Sequence, residues 1–203
     1  MPRRYDVSLL DKIGQGQYET DYEGVPVLVK PIPEGGDDGE LDPRLYKSMR
    51  FMPLLMHFMP KPKKNATVEE QVAMPRKMFA QYKGDYVVTE GVDTRCITVN
   101  SANGSENMLE SVYLQGNLSP EHIYASPLLD DFHDVPPTLL AFGEHDFLAF
   151  EDIAYARHAV KAGVRIKTIV YRGLSHGFAD QIGVMPQSED LMGEIAAMMR
   201  EVL

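Results

Sequence analysis

Asp146 and His176 are the side chains of this sequence best suited to acid–base chemistry. They stand in two short polar strings, "GEHDF" at 143–147 and "GLSHGF" at 173–178, each directly after an apolar run. An aspartate that accepts from one imidazole nitrogen fixes the tautomer and frees the other nitrogen to take a proton. Such a base activates a serine hydroxyl, and the second string contains one. Gly173-Leu174-Ser175-His176-Gly177 fits G-x-S-x-G, the spacing of a nucleophile elbow. Ser175 is badly placed for that part. An elbow serine lies between a strand and a helix and precedes its acid and base, whereas Ser175 follows Asp146 and adjoins His176. Neighbours on a turn point apart, so the string reads as the histidine end of a triad whose serine lies elsewhere. A plainer use of the same pair is a hydrogen bond that holds two loops together without catalysis.

The surrounding pattern says how the pair would be positioned. "PPTLLAFGEHD" reads as a strand entered through prolines and left through a loop, and Phe150 to Ala162 as a helix ended by Gly163. "VRIKTIVYRG" reads as a second strand, and Ser188 to Val202 as a helix with Ser188 as its N-cap. Strand, helix, strand, helix is the rhythm of a parallel sheet. Binding and catalytic groups collect at the carboxyl ends of such strands. One crossover helix would therefore bring the loops of Asp146 and His176 to the same rim.

The N-terminal half is less regular. The first forty residues are rich in turn formers, and the prolines around Val25–Val29 restrict that short strand to a sheet edge. Residues 41–60 form a Met-rich amphipathic pattern interrupted at Pro53; Thr67 and Glu70 make a capping box for a further helix that Pro75 interrupts. The methionines suit an adaptable ligand surface or, more plainly, a helical hairpin on a core. Arg95 to Asn100 reads as a strand. The string after it, "NSANGS", holds Ser101, which precedes Asp146 as an elbow serine must. Asn tolerates the left-handed backbone better than most residues. The same string also reads as a hairpin-type turn between two outer strands. Gly35-Gly36 reads as a solvated acidic turn rather than an oxyanion loop.

Composition bounds the rest. A chain of 203 residues, 44% hydrophobic and 25% charged, suits one compact domain, here read as regions 1–106 and 107–203. The net charge is −10, with a balance of −1 over residues 1–100 and −9 over 101–203. So acidic a surface repels phosphate backbones and argues against nucleic acid, and "KPKK" at 61–64 is too short to reverse that. No apolar run reaches membrane-spanning length, and "MPRRYDVSLLDK" makes a poor signal peptide, so a cytoplasmic location is expected. A single cysteine, Cys96, excludes an internal disulfide. No histidine pair shows metal-ligand spacing with a carboxylate, so neither metal nor cofactor is expected.

Residues 113–203 carry a resemblance. "YASPLL", "VPPTLLAFGEHD", "AYARHAVKAGV" and "YRGLSHGF", in this order, are similar to the C-terminal part of α/β hydrolases of the hormone-sensitive-lipase-like group, esterases and lipases. The resemblance implies that Asp146 and His176 are two members of a catalytic triad. It departs from the family earlier in the chain: neither an "HGGG"-type oxyanion loop nor a "GDSAGG"-type elbow is present. Residues 42–80 resemble the family's helical cap, and "VDTRCITVNSANGSE" the strand that opens its sheet. The implied fold is α/β, an incomplete α/β-hydrolase-type sheet, parallel in its C-terminal part, with an N-terminal helical cap-like segment. The implied function is carboxylic-ester hydrolysis: Ser101 attacks, His176 acts as base, Asp146 orients it, and a small acyl ester lies against the Met/Phe-rich cap. The alternative is an inactive, internally deleted relative that binds a ligand or, through exposed sheet edges, forms a homo-oligomer.

Overall fold

The computed structural model describes residues 2–36, 39–47, 50, 119, 121–124 and 126–202. The chain divides into two compact units, one formed by 1–55 with 131–203 and the other by 56–130. The second unit shows, among its described residues, a 3₁₀ turn at Pro127–Leu129. The expected capping box at Thr67, the strand at Arg95–Asn100 and Ser101 lie outside the described residues, as does the Met-rich segment beyond residue 50.

The first unit is built on a mixed sheet. Its elements are α1 (Ser8–Gly16), β1 (Tyr18–Tyr22), β2 (Val25–Lys30), β3 (Thr138–Gly143), α2 (Ala149–Lys161), β4 (Ile166–Tyr171) and α3 (Pro186–Val202). Four strands run in the order β1-β2-β4-β3. β1 and β2 are antiparallel, while β4 is parallel to both β2 and β3. The register aligns Lys30 with Tyr171 and Gly143 with Tyr171, so three parallel strands end at one rim. This is the partial α/β-hydrolase-type sheet expected.

Period-two alternation covers both faces of the sheet. Val25, Val27 and Val29 of β2 join Phe142, Val170 and Ala156 in a core beneath α2. Ile169 and Tyr171 of β4 turn the other way, to a core with Leu174, Phe178, Met185 and Leu191 of α3. β2, β3 and β4 therefore feed two hydrophobic layers, which is why they read as nearly continuous apolar runs.

Several local expectations are corrected. β2 is an inner strand, not an edge: it pairs with β1 on one side and β4 on the other. Pro26 is tolerated because the β4 ladder begins only at Val27, so its missing N–H removes no parallel bond. α1 and β1 went unforeseen. β1 is joined to β2 by Glu23-Gly24, both at positive φ (54° and 86°), the backbone of a two-residue type I′ hairpin. α3 begins at Pro186, with proline at its first position, rather than at Ser188. Ser188 is buried inside the helix and its hydroxyl donates to the Phe178 carbonyl at 2.6 Å instead of capping.

The α3 side also carries a charged network. The Lys30 ammonium, 3% exposed, meets Glu194 at 2.6 Å and Asp190 at 3.2 Å. Lys167 donates to Glu194 at 2.6 Å, and the buried Tyr171 hydroxyl donates to Asp190 at 2.7 Å. Burial pushes the Glu194 carboxyl up, but hydrogen bonds from Lys167 and Lys30 outweigh it, and the group sits below its ordinary value. Its contribution is thus present above the ordinary glutamate range and lost as pH falls through the depressed value. Removing one partner of a buried pair strands the other's charge. Lys30→Met is expected to lower the unfolding free energy by roughly 3 kcal/mol at pH 7. In urea titrations repeated in acid, the difference from wild type should shrink as Glu194 protonates.

Candidate active site

β3 and β4 end side by side, and their loops are fastened backbone to backbone. Glu144 N–H donates to the Tyr171 carbonyl at 2.9 Å, and His145 N–H to the Leu174 carbonyl at 2.8 Å. A Glu144 carboxylate oxygen accepts from Gly173 N–H at 3.0 Å. The contact is closest at Gly143. A Cβ built there would lie 2.3 Å from the Leu174 carbonyl oxygen, so no other residue fits without parting the loops. Gly173 and Gly177 take positive φ, 71° and 75°, which turns the "GLSHGF" string back over the rim.

This frame brings Asp146 and His176 together. His176 Nδ1–H donates to the Asp146 carboxylate, 3.1 Å from Oδ1 and 3.0 Å from Oδ2. Asp146 is itself held: its N–H donates to the Gly143 carbonyl at 3.0 Å, and its Oδ1 accepts from Leu148 N–H at 2.9 Å. The two partners differ in exposure. The Asp146 side chain is 8% exposed and that of His176 is 55% exposed. A buried carboxylate thus anchors an imidazole whose Nε2 has no protein partner among the described residues. The Phe147 ring covers part of that imidazole, with centroids 4.8 Å apart.

The neighbours take other parts. His145 Nε2 lies 3.2 Å from the Glu40 carbonyl oxygen, away from the Asp146 carboxylate. No hydrogen bond joins Ser175 to His176 among the described residues, and β4 is followed by a turn and a 3₁₀ segment, Phe178–Asp180, rather than by the helix of an elbow. The structure does not bring a described serine hydroxyl to His176, and Ser101 lies outside the described residues. Among the described residues no cluster of three metal-ligating side chains occurs, and no helix is long and apolar enough to cross a membrane.

Asp152 escaped the reading of the sequence. It lies on the stripe Asp152-Tyr155-Ala156-Ala159, the buried face of α2, and helical spacing could have revealed it. Burial first, then the charges of Asp146 and Glu151, push its carboxyl up to about 7, against an opposing pull from His176. A second carboxyl therefore sits in the field of the pair and changes charge near neutrality.

Comparisons with known proteins find relatives among α/β hydrolases. A family model described as the alpha/beta hydrolase fold matches residues 43–180. An esterase of Acinetobacter venetianus is 27% identical over 84 residues, which are 41% of this chain and 28% of that protein. The solved esterase of Pyrobaculum calidifontis is 33% identical over 44% of this chain and 29% of its own, with a TM-score of 0.38. An α/β hydrolase enzyme from the metagenome of Lake Arreo, Spain, is 29% identical over 46% of this chain and 30% of its own, with a TM-score of 0.42. The chain thus spans under a third of the length of these relatives.

Two outcomes are expected. Gly143→Ala forces its methyl group against the Leu174 backbone and should destabilise the fold by about 2–3 kcal/mol, measured by denaturant unfolding. Asp152 raises a pH dependence of opposite sign to that of Glu194. An acid with a raised native value binds its proton more tightly when folded, so its contribution falls as pH rises from about 4 to about 7. Asp152→Asn should remove that decline, worth at most about 4 kcal/mol, and melting temperatures across this range would show it.

Proposed function

The chain belongs to the α/β-hydrolase fold family, and from that premise we propose that it hydrolyses carboxylic esters with His176 as general base and Asp146 as its orienting carboxylate. The observation that carries this reading is the asymmetric pair: a buried acid bonded to Nδ1 of an exposed imidazole whose Nε2 faces away from it. With Nδ1–H committed to Asp146, Nε2 holds the lone pair that takes a proton.

In the proposed reaction a serine hydroxyl gives its proton to His176 Nε2 as its oxygen attacks the ester carbonyl. The imidazolium, stabilised by Asp146, then passes the proton to the departing alkoxide oxygen, leaving an acyl-enzyme. Water repeats the sequence and releases the acid. Ser101 is the serine whose order in the chain fits, and the substrate class is a small acyl ester. A second reading draws on the missing "GDSAGG" and "HGGG" strings: an inactive relative that binds a ligand or self-associates.

Turnover of a chromogenic short-chain ester tests the two. The enzyme reading expects activity that falls by roughly 10³-fold or more in His176→Ala, Asp146→Asn and Ser101→Ala. Activity retained in Ser101→Ala but lost in His176→Ala would keep the pair and reassign the nucleophile. A folded wild type without turnover, migrating as an oligomer in size-exclusion chromatography at low concentration, would establish the second reading instead.

A further inference from the structure

Phe147 leaves its ring largely in solvent beside the paired imidazole. It follows Asp146 directly, is 62% exposed, and lies against the His176 imidazole with centroids 4.8 Å apart and planes tilted by 43°. Its backbone is fixed from both sides, because Asp146 N–H is bonded to Gly143 and Leu148 N–H to the Asp146 carboxylate. Three residues on, Phe150 at the start of α2 is 89% exposed. Fixed, solvent-facing aromatic surface beside a polar reactive group is what a binding site for an apolar group requires.

The chemistry of the pair says which part of the ester lies there. His176 must hand a proton to the leaving alcohol oxygen, so that oxygen comes within hydrogen-bond reach of Nε2. Whatever the alcohol oxygen carries is then held within a few ångströms of the imidazole ring, while the acyl chain extends from the opposite side of the carbonyl carbon. A ring packed on the imidazole is thus a neighbour of the alcohol moiety. Resting on the ester-hydrolase reading above, we propose that Phe147, with Phe150 beyond it, forms the alcohol-side binding surface and selects esters of aromatic alcohols. Offset or tilted ring pairs supply the attraction, and burying the exposed Phe147 surface adds to it.

The test compares benzyl acetate with ethyl acetate, and ethyl acetate with ethyl butyrate. The first pair varies the alcohol and the second the acyl group. Wild type should prefer benzyl over ethyl acetate by about 10-fold in kcat/KM. Phe147→Ala should bring that ratio near one, Phe147→Tyr, which keeps the ring, should preserve it, and the acetate-to-butyrate ratio should be the same in all three. Phe147 is exposed, so folding of the variants is expected and is checked by their melting temperatures. Ester turnover with no benzyl preference in wild type, or with a preference that survives in Phe147→Ala or vanishes equally in Phe147→Tyr, would overturn this inference while leaving the hydrolase reading intact. No turnover of any ester would remove both.

Discussion

Gly143 and Leu174 touch backbone to backbone at the point where β3 and β4 end, and the rest of the rim depends on that contact. Parallel pairing alone aligns two strand ends; it does not dictate where the following loops go. Here the absent Cβ lets the second loop settle directly on the first. The close approach then permits the bonds from Glu144 and His145 N–H groups to the carbonyls of Tyr171 and Leu174. In effect the ladder continues past the strands. Residues thirty positions apart in the chain acquire a fixed mutual geometry through backbone groups, with no demand on the side chains of Asp146 or His176.

The two faces of the sheet divide the remaining work. Beneath α3 lies a network of charges, Lys30, Lys167, Asp190 and Glu194, tied to the buried Tyr171 hydroxyl. Lys30 and Tyr171 are register partners at the ends of β2 and β4, so this network secures the same rim from below. Beneath α2 the core is largely apolar, with Asp152 on the buried stripe of that helix and Thr168 buried in β4. The sheet thus concentrates polar chemistry at one end and leaves the strands themselves to hydrophobic packing, the economy typical of open α/β sheets.

How far this was legible in the sequence follows from the range of the forces involved. β3, α2 and β4 could be read within a residue or two because strand periodicity, helical length and Gly163 are local signals. The Asp146–His176 meeting could be read because a single crossover leaves little freedom. β1 could not: "YETDY" is polar on nearly every position, and what makes it a strand is its pairing with β2 across the Glu23-Gly24 hairpin. The rule that proline marks an edge misled for β2, since the relevant question is which ladder the proline faces, and that is a tertiary fact. Ser188 misled in the same manner, as its hydroxyl found a carbonyl in a distant turn. The ring of Phe147 on His176 depends on two loop conformations at once and leaves no periodic trace.

The geometry also bears on whether the Asp146–His176 bond exists for the fold or for chemistry. A bond retained to hold loops should be needed by them, yet the backbone latch already joins the same loops at several points. A partly exposed ion pair also contributes only about 0–1 kcal/mol to stability. Here one partner is buried and the other is more than half exposed, and an aromatic ring is left in solvent against it. Burying a carboxylate while exposing the imidazole it binds is an inefficient way to stabilise a loop. It suits the proposed base: the buried carboxylate orients the ring through Nδ1, and the second ring nitrogen stays open to solvent. That asymmetry in exposure is what supports the proposed hydrolase reading over a purely structural one.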